Sequence, residues 1–322
     1  MVILKIAIVL CGFCQVSKDD LRKQILLIPV ATDVQLPVRQ DGKLYEEVVR
    51  MKKILLTGLL LAAVLCLTAC RATGPEARGL HGTVNTEGST SMADVMAALQ
   101  EGFREKEPGV TVNFSGTGSG AGIEAALSGA CDIGLSSREL KDSEIQKGAK
   151  EHLAALDGIA LVVHAGNPIT ELSMEQLADI FTGKITNWRD LGGSDAPIAP
   201  YGREAGSGTR SAFEELTGTA GRCTYRNEYG STGDVIGNVS ANPNAIGYVS
   251  LASVRGGVTV VTVDGAACTE ETVQDGTYPI RRPFLLVTSQ DAPLSEAAQA
   301  FLEYALSPEV ADYIARAGAI AP

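Results

Sequence analysis

Short runs of apolar residues alternate along the chain with stretches in which apolar residues recur at helical spacing. Runs at 82–86 and 110–114 predict strands, and a helical pattern follows each of them. The first helical pattern has apolar residues at i, i+3, i+4 and i+7 from Met92 onwards. A third run at 133–135 predicts another strand. Strands that alternate with helices in this way are typical of an α/β protein.

The second half of the chain continues the same alternation. The unbroken apolar run at 158–164 predicts a buried parallel strand, because such strands lack polar alternation. The break at 166–168 and Pro283 mark the two places where we expect the chain to cross between domains. Ser173 and Gln176 have the spacing of a capping box at the start of a helix. The other predicted elements are strands at 224–227, 245–249, 258–263 and 282–288, and helices at 173–181, 234–239, 295–306 and 310–317.

Glycine and hydroxyl residues cluster at one junction between a strand and a helix, residues 202–211. Ser207, Gly208 and Thr209 would lie at the helix N-terminus, where free backbone N–H groups attract anions. The guanidinium of Arg203 adds a planar fork suited to two oxygens at once. Together these residues are typical of a pocket for a small tetrahedral oxyanion. A glycine-rich helix cap beside a surface arginine explains the same residues.

Two further junctions have the same character, and a third strand ends in polar residues. If ligands bind beyond the carboxyl ends of the strands, all these side chains face one crevice. Helix caps and a surface turn are the alternative explanation. The residues concerned are Ser89, Thr90 and Ser91 at the first junction, Ser119 at the second, and Ser137 and Arg138 after the third strand.

Composition and residue spacing exclude several classes of function. The formal net charge of −11 argues against nucleic acid as a partner. Glycines at 116–118 fit part of a dinucleotide fingerprint, but the acidic residue expected after the second strand is missing. The three histidines are scattered, and no catalytic triad order or metal-ligand spacing stands out. We therefore expect no enzymatic activity, no metal and no cofactor.

Residues 51–70 have the pattern of a bacterial export signal. Two lysines precede an apolar run too short for a spanning helix, and Leu-Thr-Ala-Cys at 67–70 resembles a lipobox. In that pattern Cys70 carries a lipid, and residues 71–79 form a tether to the folded part. An uncleaved membrane anchor is the alternative.

Residues 1–50 stand before a signal that should itself be N-terminal. The codons of Glu46, Glu47 and Val48 can contain a purine-rich ribosome-binding sequence about six nucleotides before the Met51 codon. Our hypothesis is that Met51 is the start and that residues 1–50 are a mis-assigned leader.

Cysteine usage leaves one question open. Four of the seven cysteines, at positions 70, 131, 223 and 268, fall in the exported chain. Cys223 and Cys268 both lie in loop-like surroundings and are candidates for a disulfide, although sequence alone cannot show proximity.

Residues 80–322 resemble the phosphate-binding protein of the bacterial high-affinity phosphate ABC transporter. Each motif alone is weak, but six in the same order are specific. They lie at 88–91, 116–122, 132–138, 180–188, 202–209 and 242–249. The resemblance implies an α/β type II periplasmic-binding-protein fold, with two lobes joined by two crossing segments. Lobe 1 would comprise residues 80–164 with 285–322, and lobe 2 residues 165–284.

The resemblance also implies which residues hold phosphate between the lobes. Many members of the family have an aspartate at the position of Ser137, which accepts the proton of hydrogen phosphate and rejects sulfate. A neutral serine discriminates less. The implied ligand residues are Ser89, Thr90, Ser91, Ser119, Ser137, Arg138, Arg203, Ser207, Gly208 and Thr209.

On this resemblance we expect an extracytoplasmic, monomeric protein that binds inorganic phosphate. It would deliver phosphate to the membrane permease subunits of an ABC importer, and a lipid on Cys70 would hold it at the outer face of the cytoplasmic membrane. Two alternatives remain at this point. One is a binding protein for another oxyanion, such as sulfate or molybdate, and the other is an exported phosphatase.

Overall fold

The computed structural model describes residues 79–322, together with Arg50. The predicted leader, export signal, lipidated Cys70 and tether lie outside the described residues, apart from Arg50 and Gly79 at their edges. Within the described part of the chain, no helix is both long enough and apolar enough to cross a membrane.

Strands and helices alternate through residues 79–322 much as the apolar pattern predicts. The strands are β1 Gly82–Gly88, β2 Val110–Gly116, β3 Ile133–Ser136, β4 Ala149–His164, β5 Glu171–Leu172, β6 Ala199–Arg203, β7 Asn227–Tyr229, β8 Ala245–Ser250, β9 Val258–Val263 and β10 Arg281–Ser289. The α-helices are α1 Ala93–Lys106, α2 Ser119–Ser128, α3 Asp142–Gln146, α4 Met174–Phe181, α5 Gly208–Leu216, α6 Thr232–Ala241, α7 Glu270–Asp275, α8 Glu296–Ala305 and α9 Ala311–Arg316.

The strands join in the order β2-β1-β3-β10-β4-β8-β6-β7, while β9 pairs with β4 and β5 pairs with β9. At one end β1 runs parallel to β2 and β3, and at the other β6 runs parallel to β7 and β8. Between these two parallel groups, β4 is antiparallel to β10, β8 and β9, so the prediction of a parallel strand at 158–164 is wrong. The unbroken apolar run reflects burial of the strand on both faces, which this central antiparallel strand shares. Each parallel group sends the carboxyl ends of its strands into loops that begin helices, which is where open α/β sheets bind ligands.

The two largest hydrophobic cores of the described residues lie along this sheet, one in each lobe. The lobe 1 core packs α1 and α8 against β1 and β10, with Phe103 and Phe301 in edge-to-face contact. The lobe 2 core includes Phe213 and Tyr248, whose rings stack 4.2 Å apart. The chain therefore has the two-lobed α/β architecture that the resemblance implies.

The chain passes between the lobes within β4 and β10. Ala155 on β4 packs in the lobe 1 core, whereas Ile159 packs in the lobe 2 core. On the return, Ile280 belongs to the lobe 2 core and Phe284 to the lobe 1 core. The predicted boundaries at 164/165 and 284/285 stay predictions, and this packing favours a first crossing several residues earlier.

The structure overturns the disulfide hypothesis. Cys223 and Cys268 are both free thiols. Cys223 Sγ donates a hydrogen bond to Thr219 Oγ1 at 3.2 Å, and Cys268 is buried against Gly158, where a Cβ would lie 2.6 Å from its sulfur. Burial raises the pKa of the Cys268 thiol to about 12, so this thiol stays protonated at neutral pH.

Candidate functional site

Four helix N-termini converge on the cleft between the lobes. A 3-10 turn at Thr90–Met92, which leads into α1, and the start of α2 at Ser119 come from lobe 1. The starts of α5 at Gly208 and α6 at Thr232 come from lobe 2. Each follows the carboxyl end of a parallel strand, namely β1, β2, β6 or β7. Unpaired N–H groups and the positive ends of the helix dipoles therefore meet in one place.

Hydroxyl groups from the two lobes touch one another in this cleft. Ser91 Oγ lies 2.8 Å from Thr209 Oγ1 and 3.1 Å from Thr232 Oγ1, and Thr90 Oγ1 lies 3.3 Å from Thr232 Oγ1. Gly120 N also donates to the carbonyl oxygen of Gly206 across the cleft at 3.1 Å. These are contacts between residues more than 80 positions apart in the sequence, so they require the lobes to be closed on each other.

A second set of hydroxyls lines the lobe 1 side of the cleft. Ser89 Oγ donates to Ser137 Oγ at 2.8 Å, and Ser137 N donates to Ser119 Oγ at 3.1 Å. Gly208 packs directly against this set, because a Cβ at that position would lie 2.2 Å from Ser119 Oγ and 2.9 Å from Ser137 Oγ. Glycine is therefore required for the start of α5 to approach lobe 1 this closely.

Arg203 places a buried positive charge beside the hydroxyls. Its side chain donates from Nε to Tyr229 O at 3.1 Å, from Nη1 to Thr232 Oγ1 at 3.1 Å and from Nη2 to Gly230 O at 2.6 Å. The residue is 2% exposed, and among the described residues no carboxylate lies within ion-pair distance of it. Burial lowers the pKa of Arg203 to about 10, which leaves it charged at neutral pH.

The other buried arginines in or near the cleft have carboxylate partners. Arg138 donates from Nη1 and Nη2 to the two carboxylate oxygens of Glu144, at 2.8 and 2.7 Å. Although burial opposes it, hydrogen bonds from Arg138 and from the Lys141 backbone lower the pKa of Glu144. Arg282 pairs with Asp157 in the same buried region at 2.8 Å. An uncompensated buried charge is costly, so the unpaired Arg203 makes this cleft a candidate site for an anion.

The structure brings together most of the residues singled out from sequence. Ser207 caps α5 by accepting from Arg210 N at 3.4 Å, so it lies at the same helix start as Gly208. Arg138 is the exception, since its guanidinium is directed at Glu144 rather than at the hydroxyls. The residues that meet in the cleft are Ser89, Thr90, Ser91, Ser119, Ser137, Arg203, Ser207, Gly208 and Thr209.

Sequence reasoning missed Thr232. Its hydroxyl contacts Arg203, Ser91 and Thr90, and its amide N donates to Thr90 Oγ1 at 3.3 Å. The signal was present, because Gly230-Ser-Thr-Gly233 stands between a strand and the apolar face of α6. The other three junctions have the same order of a strand, small polar residues and a helix.

The cleft is suited to hold a small anion through hydrogen bonds and the charge of one guanidinium. It offers hydroxyls, helix N-termini and one unpaired guanidinium, which together match an oxyanion with several acceptor oxygens. Within the described residues no three histidine, cysteine, aspartate or glutamate side chains are grouped to hold a metal ion. Fold and site together define a two-lobed binding protein whose ligand lies between its lobes.

Comparisons with known proteins specify this class further. A family model described as a PBP superfamily domain matches residues 73–309. The phosphate-binding protein PstS of Pseudomonas aeruginosa strain PAO1 is 30% identical over 261 residues, which cover 72% of this chain and 80% of that protein. The chain therefore belongs to the PBP superfamily and, within it, to the family of phosphate-binding proteins named PstS.

Two solved structures share the fold at higher identity. One is a putative phosphate ABC transporter substrate-binding protein with bound phosphate from Clostridium perfringens, with 43% identity and a TM-score of 0.73 over 75% of this chain and 100% of that one. The other is an ABC-type phosphate transport receptor from Vibrio cholerae, with 35% identity and a TM-score of 0.63 over 74% of this chain and 100% of that one.

Proposed function

We propose that this protein binds inorganic phosphate in the cleft between its lobes and delivers it to an ABC-type phosphate importer. The observation that carries the proposal is Arg203, a buried cation without a carboxylate partner in the described chain, set among four helix N-termini. A phosphate dianion supplies the missing negative charge and accepts hydrogen bonds from the surrounding hydroxyl and amide groups.

The relatives support phosphate over other oxyanions. The structure of the Clostridium perfringens protein contains bound phosphate. The match to this chain covers 100% of that protein's chain at 43% sequence identity. Sulfate or molybdate binding, the alternative that the residues alone left open, finds no support among these relatives. We expect contacts to the anion from Ser89, Thr90, Ser91, Ser119, Ser137, Arg203, Ser207, Gly208, Thr209 and Thr232.

Titration calorimetry with the purified folded region tests this assignment. Arg203→Ala is expected to weaken phosphate binding by about 2 kcal/mol or more, because a buried charged donor is lost. Arg226→Ala is the matched control, since Arg226 is an exposed arginine of the same lobe. Equal phosphate affinities in the wild type and Arg203→Ala would reject the site.

We infer that binding involves no chemical step on the ligand. The relatives are named as binding proteins and transport receptors, and the cleft is built from groups that donate hydrogen bonds. Incubation with p-nitrophenyl phosphate is expected to release no p-nitrophenol, and steady turnover that Arg203→Ala abolishes would establish the phosphatase alternative instead.

We further propose that the protein acts outside the cytoplasmic membrane as a lipid-anchored monomer. The lipobox-like sequence at 67–70 supports a lipid on Cys70, and the name of the Vibrio cholerae receptor supports a permease partner in the membrane. Growth of an expressing bacterium with labelled palmitate is expected to label the wild type and not Cys70→Ser. Equal labelling of the two would remove the anchor from the proposal.

A further inference from the structure

Asp157 and Arg282 form a buried ion pair at the point where the chain crosses between the lobes. They are register partners on the antiparallel strands β4 and β10. Nε and Nη2 of Arg282 both donate to Asp157 Oδ2, at 3.0 and 2.8 Å. Both side chains are almost fully buried, at 0% and 1% exposure. The only two crossing strands of the described chain are therefore joined at one charged contact.

The free oxygen of this carboxylate holds the segment that follows β8. Asp157 Oδ1 accepts from Ser250 Oγ at 2.8 Å and from Ala252 N at 3.4 Å. Ser250 is the last residue of β8 in lobe 2, whereas Ala252 packs in the lobe 1 core. Asp157 thus contacts both the second crossing strand and the segment after β8 that leads from the lobe 2 core to the lobe 1 core.

Arg282 extends the same network into the cleft. Its Nη1 donates to the carbonyl oxygen of Ser137 at 3.2 Å. The amide of Ser137 donates to Ser119 and its hydroxyl accepts from Ser89, so the residue is held at its carbonyl, its amide and its side chain. Of these three restraints, Arg282 alone comes from a crossing strand.

A contribution to the stability of the fold is not a sufficient reason for a buried ion pair at this position. Replacing a buried ion pair by well-packed apolar residues is often neutral or stabilising, because both charges lose their hydration. The pair joins the two crossing strands, and Arg282 also holds the backbone carbonyl of Ser137 in the cleft. We propose that Asp157 and Arg282 are positioning residues, which fix Ser137 for contact with the bound anion and tie that contact to the crossing strands.

This inference rests on the proposed function, because its readout is phosphate binding. A double-mutant cycle of Arg282→Lys with Ser137→Ala measures it by calorimetry. A lysine ammonium keeps the charge but lacks the planar fork with which Arg282 reaches Asp157 through Nε and Nη2 and the Ser137 carbonyl through Nη1. Each single variant is expected to weaken phosphate binding about tenfold. Because the effects of coupled residues are not additive, the double variant is expected to lose no more affinity than the more damaging of the two single variants.

Arg281→Lys combined with Ser137→Ala is the matched control. It makes the same change at the neighbouring arginine of β10, whose side chain is exposed and donates to the Val273 carbonyl rather than to Ser137. Its effect on phosphate affinity is expected to be small and additive with that of Ser137→Ala. A purely structural role for Arg282 predicts the same additivity for Arg282→Lys.

Each outcome decides the matter. Unchanged affinity in Arg282→Lys, or full additivity with Ser137→Ala, overturns the positioning role while phosphate binding by the wild type stands. A wild type that binds no phosphate overturns the proposed function and this inference together. If urea unfolding shows that Arg282→Lys does not fold, the same cycle is run with Asp157→Asn, which keeps the side-chain shape and frees Arg282 from its partner. The same non-additivity is then expected, and additivity overturns the proposal.

Discussion

Arg203 and the hydroxyls around it show how single residues prepare the cleft for an anion. A guanidinium has five N–H groups, and three of those on Arg203 are used by Tyr229, Gly230 and Thr232. These contacts fix the plane of the fork and leave two N–H groups for a ligand. Because the fork is held before the ligand arrives, little side-chain entropy is lost on binding.

At Gly208, the close approach of the two lobes leaves no room for a side chain. Gly208→Ala puts a methyl group 2.2 Å from Ser119 Oγ, and overpacking of this kind costs roughly 1–3 kcal/mol. Because the clash forms only when the lobes close, we expect phosphate affinity to fall about tenfold or more, with little change in the stability of the free protein. Calorimetry and urea unfolding measure the two effects.

Gly206→Ala is the control for this prediction. Gly206 lies two residues away in the same loop, but a Cβ there meets no atom within 4 Å. Its phosphate affinity should equal that of the wild type. If Gly206→Ala and Gly208→Ala bind alike, steric closure at Gly208 is not what the site requires.

Thr232 links the guanidinium of Arg203 to the hydroxyls of lobe 1. Thr232→Val keeps the shape of the side chain but leaves Arg203 Nη1 without its acceptor at 3.1 Å. An unpaired buried donor costs about 1–3 kcal/mol, so we expect phosphate affinity to fall about tenfold. Thr232→Ser retains the hydroxyl and should bind within about threefold of the wild type. Calorimetry on both variants decides between a hydroxyl role and a purely steric one.

At the scale of whole elements, the fold repeats one unit in which a strand ends in small polar residues and a helix begins. Local sequence was enough to predict this unit, because glycine and serine mark helix starts and apolar spacing marks the helix face. The strand prediction at 258–263 was confirmed as β9 with the same bounds. Short elements such as α3 and β5 have too few apolar residues to be seen in this way.

What sequence could not supply is pairing between distant residues. The first half of β4 was missed because Lys150, Glu151 and His152 interrupt its apolar pattern, and only pairing with β10 makes it a strand. Likewise Arg138 and Arg203 look alike in sequence, yet Glu144 neutralises the first and no carboxylate of the described chain neutralises the second. The partner of a charge is a tertiary fact, and it decides which arginine is free to hold an anion.

Helix α4 provides a test of local stability that leaves the cleft untouched. Ser173 Oγ accepts from Gln176 N at 3.1 Å, and the Gln176 side chain accepts from Ser173 N at 2.8 Å, as the capping box predicts. Ser173→Ala removes the first of these bonds and should lower the free energy of unfolding by about 1 kcal/mol. Urea unfolding measures this change.

The control for α4 is Ser194→Ala, because Ser194 is exposed in a loop of the same lobe. It should not alter stability, and both variants should bind phosphate like the wild type. A Ser173→Ala protein as stable as the wild type would mean that the cap contributes nothing measurable to the fold.

At the scale of the whole molecule, the lobes share one sheet rather than a flexible linker. Both crossing strands are hydrogen-bonded to each other across the level of Asp157 and Arg282, and β4 then continues into lobe 2 between β8 and β9. Opening of the cleft must therefore bend these two strands instead of rotating about a loop. Few hydrogen bonds close the cleft, namely the hydroxyl contacts and two bonds donated by backbone amides of Gly120 and Thr232. A ligand that bridges the lobes can therefore shift the balance between open and closed forms.

Because the ligand contacts both lobes, its binding energy should stabilise the entire folded region. A ligand at about 100 times its Kd adds about 2.7 kcal/mol to the free energy of unfolding when it binds only the folded state. We expect phosphate to shift the urea transition of the wild type by this amount as a single transition seen equally in both lobes. Trp188, buried in the lobe 2 core, reports on that lobe by fluorescence, and circular dichroism reports on the whole. At the same phosphate concentration, the free energy of unfolding of Arg203→Ala should rise much less. If phosphate shifts the fluorescence transition but not the circular dichroism transition, phosphate is held by lobe 2 alone.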